Sequence, residues 1–483
     1  MNTQRNLQRV FALVSVFAIT LALVALLDAN RVRANDDDKK FGRNEALLAG
    51  GPILRNRLPS GTNVKPTTAI MPNGRITSAT SKAVAENPNQ VLEWNQIFID
   101  TLIATNTANS SSQRLGAIVH TAIFDAYNGI ERRYTPIFVQ EQAPSGASRR
   151  AAVIAAAHTA LIGLFPARKQ ALDASYLASL EALSDDDGDG GQSRERGIDW
   201  GTYVAQVVLA WRASDGFTAS YPAFTGGSAI GQWRPTPPAF GPMSAQGLAF
   251  TAMFVLDSNT QFRPGPLRGL SSQTYTDDFN TVKALGRKEG STRTPDQTAL
   301  ALFWEGNAST HWNQAANQIA SANHLSMSNC NRLLAVLNIA MADTAFTTWS
   351  GKRSYGADPN VVTWRPVTSI PLADTDGNPD TTVDPGWLPL INTPSHPEYP
   401  AGHPSLNGAA ATVLLSYFGD AQTFTLTTIG LPNRTYTTIT QARSDGNNGR
   451  VWGGMHYPST VSISDAEGEA IANYVNQHSM LPL

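Results

Sequence analysis

Arg149-Arg-Ala-Ala-Val-Ile-Ala-Ala-Ala-His-Thr-Ala-Leu-Ile-Gly-Leu-Phe165, with Pro166 directly after it, decides the fold class. Alanine and leucine carry the lowest cost of entering a helix, and a proline cannot prolong one. Upstream, Gln96–Ala108 sets Ile97, Ile99, Leu102 and Ile103 on one stripe, and Arg114–Tyr127 does the same with Leu115, Ile118, Val119, Ala122 and Ile123. Downstream, Lys169–Leu183 and Trp200–Ala213 follow, the latter closing at Gly216. Helical patterning resumes over Asp277–Leu285, Pro295–Trp304, Trp312–Asn323, Asn331–Trp349, Pro404–Phe418 and Asp465–His478. Strand-like alternation is confined to Gln422–Thr428 and Arg434–Thr440, a candidate small hairpin. The expectation is an all-α protein of two helical-bundle halves, 91–300 and 301–483, with long Pro/Gly-rich loops at Phe217–Pro266 and Lys352–Tyr399. No repeat of 20–50 residues is visible.

The N-terminus reads differently. Arg5 and Arg9 precede an apolar run, Val10 to Leu27, and Val32-Arg33-Ala34 fits the exit of a signal peptide. Residues 1–34 are therefore expected to be a leader, with an uncleaved membrane anchor as the alternative. Either way the body is expected to be exported, to a periplasm or the extracellular space. Residues 35–90 are polar and irregular, with the charge run Asp36-Asp37-Asp38-Lys39-Lys40, and are expected to form an extended arm.

Composition removes several classes. The 483 residues carry a formal net charge of −2, so no global attraction to nucleic acid or to anionic lipid exists. Any membrane partner would come through the N-terminal segment alone. Cys330 is the only cysteine, which excludes an internal disulfide and cysteine-rich metal sites. Asp185, Asp187, Asp189 and Gly190 begin like a calcium loop, but Arg196 stands where the bidentate glutamate belongs. Asp374, Asp376 and Asn378 put Pro379 where that loop needs glycine. Both are expected to be solvated turns.

The sequence has no phosphate-cradling G-x-x-x-x-G-K-[ST], no H-E-x-x-H and no G-x-S-x-G elbow. Chemistry is left to three clusters in the C-terminal third: Trp364-Arg365-Pro366 with Lys352 ahead of it, Pro394 to His403, and Arg450 to Pro458. Two arginines can grip an oxyanion with bidentate forks, and two histidines can serve as ligand, nucleophile or proton shuttle. Gly402 lets backbone approach closely. His403 precedes Pro404, a residue suited to the first helical position, where free N–H groups favour an anion. His120, His158, His311 and His396 read first as structural, while Trp364, Trp452, His311 and His396 could also wall a pocket.

The order Lys352 … Arg365-Pro366, then Tyr399-Pro-Ala-Gly-His403, then Arg450 with His456 six residues on, resembles the vanadium-dependent haloperoxidase and phosphatidic acid phosphatase type 2 superfamily. Thr393-Pro-Ser-His-Pro-Glu-Tyr-Pro-Ala-Gly-His403 is similar to its bacterial and plant haloperoxidase-like branch, as are Gly116–Asn128, Arg293–Trp304 and His311-Trp-Asn313. The resemblance implies a haloperoxidase-like helical fold with vanadate as cofactor and hydrogen peroxide and halide as partners. It implies that His456 coordinates the metal, and that Arg365, Arg450, Lys352 and the Gly402 N–H hold its oxygens. His403 would be the acid–base group.

Two departures stand out. Lys352 lies further from Arg365 than the family spacing, with Asp358 at the usual position, and Ala401 replaces a serine. The same residues also suit a phosphatase for phosphate esters, with His456 as nucleophile and His403 as general acid. An exported, non-catalytic protein with a decayed site is the third reading.

Overall fold

A computed structural model describes residues 89–183, 191–267 and 269–483. The expected leader, all but the last two residues of the expected arm, and the first acidic loop lie outside the described residues. The described chain is helical, with a single two-stranded ribbon among its described residues, β1 (Phe424–Leu426) against β2 (Arg434–Tyr436). The all-α expectation and the small hairpin are both met. No single helix among the described residues is long and apolar enough to cross a membrane.

The first helices are α1 (Gln90–Ala104), α2 (Asn109–Glu131), α3 (Arg149–Leu164), α4 (Lys169–Glu181) and α5 (Gln192–Ala213). α1, α2 and α5 begin earlier than the sequence reading placed them, and side-chain caps hold the starts of α1 and α3. Asn89 accepts from the N–H of Val91, and Ser148 from that of Ala151. α2 packs against α3 and α5, and the Ala-rich α3 lies between them with its alanines buried.

The second group comprises α6 (Gln273–Leu285), α7 (Pro295–Phe303), α8 (Ala308–Ala322), α9 (Met327–Ala357), α10 (Pro366–Ser369), α11 (Gly402–Phe418), α12 (Ile439–Trp452) and α13 (Pro458–His478). α9 is 31 residues long and buried over most of its length, packing on α2, α11 and α13. One apolar core runs through both groups, from Val91 to Met480.

Two buried aspartates pin the loops in the same way. Asp125 of α2 accepts the N–H groups of Ile137, Phe138 and Val139 at 2.8, 2.8 and 2.9 Å. Asp343 of α9 accepts those of Phe254, Val255 and Leu256 at 2.7, 2.9 and 3.0 Å. Backbone donors buried away from water need acceptors, and one carboxylate supplies three. The loop Phe217–Pro266 is thereby fastened over α9, and its Ser244 N–H donates to Ser395 O at 2.7 Å. Two Pro/Gly-rich loops thus close together over one end of the second bundle.

The sequence reading omitted α12. Its Gly446, Asn447, Asn448 and Gly449 are poor helix formers. Tertiary packing overrides them, because a Cβ at Gly446 would stand 2.6 Å from Asn407 Nδ2 and 3.0 Å from Trp304 Cε3. Glycine lets the helix lie against Trp304 and α11. The helix α11 also begins at Gly402 rather than Pro404, so Gly402 and His403 form its first turn.

Candidate active site

The three sequence clusters converge at the N-terminus of α11. Arg450 comes from the last turn of α12, and His456 follows a tight Gly453-Gly454 turn before α13. Gly454 has φ +75, and a Cβ there would meet Gly286 O at 2.6 Å, so only glycine fits. Gly402, His403, Arg450 and His456 line a cavity of about 160 Å³ together with Trp349, His396, Pro394, Ser244, Asn109 and Ser110.

His456 is 2% exposed and held at both ring nitrogens. Its Nδ1 is 2.8 Å from Glu398 Oε1, and its Nε2 is 3.0 Å from Arg365 Nη1. An arginine can only donate, so Nε2 is the acceptor and the ring proton sits on Nδ1. Burial, then the nearby Arg365 and Lys352 charges, hold the imidazole well below its ordinary pKa. The contact with Glu398 is therefore a hydrogen bond from a neutral ring rather than an ion pair. Burial pushes the Glu398 carboxyl up to about 7, against the opposing pull of Arg365 and Lys352.

Arg365 is fully buried. It donates through Nε to His396 O at 3.0 Å, through Nη1 to Met455 O at 2.8 Å, and through Nη2 to His396 Nδ1 at 2.8 Å. Lys352 is also fully buried and donates to Pro397 O at 2.7 Å and Glu398 O at 3.2 Å. Burial and the Arg365 charge lower its pKa well below that of an ordinary lysine. The longer spacing to Arg365 is absorbed because α9 runs on to Ala357, and residues 358–364 then loop back. The structure brings Lys352 under the Pro397–Glu398 backbone, behind the residues that line the cavity.

Arg450 is the contrast. It is 2% exposed, its Nη1 makes one long bond of 3.4 Å to Trp304 O, and its Nε has no partner. Burial lowers its pKa to about 10. His403 donates from Nε2 to Gly306 O at 3.2 Å, which leaves Nδ1 unprotonated in the neutral ring. Burial and the Arg450 charge keep that ring neutral, well below its ordinary pKa.

A buried guanidinium with unmatched donors beside a helix N-terminus fits an oxyanion. It does not fit a bare metal cation, and no cluster of three His, Cys, Asp or Glu suited to one occurs among the described residues. The second acidic loop is internally satisfied: Asp376 accepts from Asn378 N and Thr381 Oγ1, each at 2.8 Å.

Of the four wall candidates, His396 lines the cavity. Trp364 is buried in a satellite core, His311 bonds Thr428 Oγ1 at 2.6 Å, and Trp452, partly buried, packs against Ala301, Ile391 and Met455. His120 bonds Asn95, and His158 pairs with Asp173, as structural histidines do. Sequence reasoning missed Glu398, although it lies inside the quoted Pro-Glu-Tyr-Pro stretch. It also missed Asn109, Ser110 and Ser244, whose polar side chains carry no distinctive pattern.

The fold is that of a helical protein with a cavity suited to an oxyanion. Residues 332–482 match the family described as the VCPO second helical-bundle domain. The fold is similar to a solved structure titled the first bacterial vanadium-dependent iodoperoxidase, at 22% identity and TM-score 0.70, covering 83% of this chain and 99% of that one. It is also similar to a bacterial vanadium-dependent chloroperoxidase. The apo form gives 18% identity and TM-score 0.58, the holo form 19% and 0.57, each covering 76% of this chain and 92% of that one. No curated protein sequence matches the chain.

Proposed function

We propose that this chain is an exported vanadium-dependent haloperoxidase, oxidising halide with hydrogen peroxide. The carrying observation is Arg450, a buried guanidinium left without matched acceptors on a cavity shared with His403 and His456. His456 Nε2 would be the protein's ligand to vanadium. Arg450, Arg365, Lys352 and the Gly402 N–H would neutralise the oxygens. When bound, vanadate activates peroxide toward attack by halide without changing oxidation state, and hypohalous acid leaves.

The chain's own residues hold charge and move protons. Arg450 has donors free for an anion, whereas Arg365 would have to release its Nη1 from His456 Nε2 to serve one. His403, with Nδ1 unprotonated in the neutral ring, would be the group that takes up and returns a proton beside a bound oxyanion. Trp349 packs on Gly402, where a Cβ would stand 3.1 Å from its ring.

A second reading keeps the residues and changes the substrate. The Nδ1–H tautomer of His456 presents a lone pair at Nε2, which equally suits attack on the phosphorus of a phosphate ester, with His403 protonating the leaving oxygen. The intact hydrogen-bonded cradle supports either activity over a decayed, non-catalytic site. The assay is bromination of a phenolic dye, with vanadate, peroxide and bromide each omitted in turn. A requirement for all three supports the haloperoxidase. Aryl phosphate hydrolysis by the vanadate-free protein, without bromination, replaces it with the phosphatase. Export is checked by sequencing the N-terminus of the protein recovered from outside the cytoplasm, where a start near Asn35 is expected.

A further inference from the structure

Glu398 takes no part in the chemistry described so far, yet it accepts the hydrogen bond that decides which nitrogen of His456 is free. It is 1% exposed. Its Oε1 receives His456 Nδ1 at 2.8 Å and the Tyr457 N–H at 3.2 Å, and its Oε2 receives Thr460 Oγ1 at 3.0 Å. Its own carbonyl receives Lys352 Nζ. The carboxylate is therefore held by Tyr457 N–H and Thr460 at the start of α13, while the Glu398 backbone is held from α9 by Lys352. We propose that Glu398 is the positioning residue of His456, accepting the hydrogen bond of its Nδ1–H and so presenting Nε2 as a lone pair to an oxyanion.

Two independent contacts agree on this tautomer. Glu398 demands a donor at Nδ1, and Arg365 Nη1, at 3.0 Å, demands an acceptor at Nε2. A ring turned over, or protonated on Nε2, would set N–H against guanidinium on one side. Hydrogen bonds behind a metal-ligating histidine set its tautomer and basicity, and their loss commonly costs 10–100-fold in affinity.

The tautomer can be read without any oxyanion, by two-bond proton–nitrogen NMR of histidine-labelled apo protein, with His456→Ala identifying the signal. The expected spectrum has a protonated Nδ1 and an unprotonated Nε2. Glu398→Gln keeps an oxygen acceptor and should keep that pattern. Glu398→Ala should lose it, either as the other tautomer or as exchange between both. Orthovanadate affinity, the part that rests on the proposed function, should fall about 10–100-fold in Glu398→Ala and less in Glu398→Gln. A wild-type proton on Nε2, or a Glu398→Ala protein with unchanged tautomer and affinity, overturns the assignment. If Glu398→Ala fails to fold, a Glu398→Gln protein with wild-type tautomer and a smaller affinity loss upholds it. Failure of the wild type to bind vanadate would sink the haloperoxidase reading, while the apo spectrum still judges Glu398.

Discussion

Replacing Arg450 with methionine should weaken the site and strengthen, or spare, the fold. The guanidinium makes one long bond to Trp304 O and leaves Nε unmatched, while burial lowers its pKa from 12.5 to about 10. That shift corresponds to roughly 3 kcal/mol of penalty on holding the charge inside the protein. Methionine keeps most of the apolar stem and removes the charge, and such replacements of poorly compensated buried ions are commonly neutral or stabilising. The anion loses two charge-assisted bonds at about 1.5–3 kcal/mol each, a fall of about 10²–10⁴ in affinity. Thermal unfolding and orthovanadate titration of the same preparation measure both. A variant destabilised by more than about 2 kcal/mol, with affinity retained, would refute the reasoning, since Arg450 would then be a structural residue.

Arg365→Met should behave oppositely, losing about 3–5 kcal/mol of stability because its bonds to His396 and Met455 are left unmatched, as chemical denaturation would report. His403→Ala should slow turnover by about 10²–10⁴-fold at saturating substrates, the contribution of one acid–base group; full activity in steady-state assays would remove it from the mechanism. Glu467 is buried, with Oε1 unpartnered, and its pKa is raised by burial from 4.5 to about 7. The folded state therefore binds this proton more tightly than the unfolded one, and the associated stability, present below pH 4.5, is lost as pH rises through 7. Glu467→Gln should match the wild type near pH 4 and gain on it by roughly 3 kcal/mol at pH 8, where the wild type must bury a charge; melting temperatures at both pH values check this. Asp343→Asn should cost about 1–3 kcal/mol by weakening the acceptor of three backbone N–H groups, again read by denaturation.

The fold was legible where helices bury an apolar stripe or are rich in alanine, as in α2, α3 and α9. It was illegible at α12, where glycines that are poor in isolation are required for contact with Trp304 and Asn407. No periodicity could report that. The cations and histidines of the site were legible because their order along the chain is distinctive. Their unequal states were not: Arg365 and Arg450 read alike in sequence, yet one is saturated by protein acceptors and the other is not. Ser244 and Ser110 reach the cavity only because loops and helices distant in the chain close over α11.

The central claim is that this cavity binds a tetrahedral oxyanion with His456 as its ligand. Equilibrium titration of the vanadate-free protein with orthovanadate, wild type beside His456→Ala, tests it most directly. Saturable binding at one site per chain, lost or weakened by orders of magnitude in the variant, is the expected result. Equal binding by both proteins, or none by the wild type to either vanadate or phosphate, would contradict it.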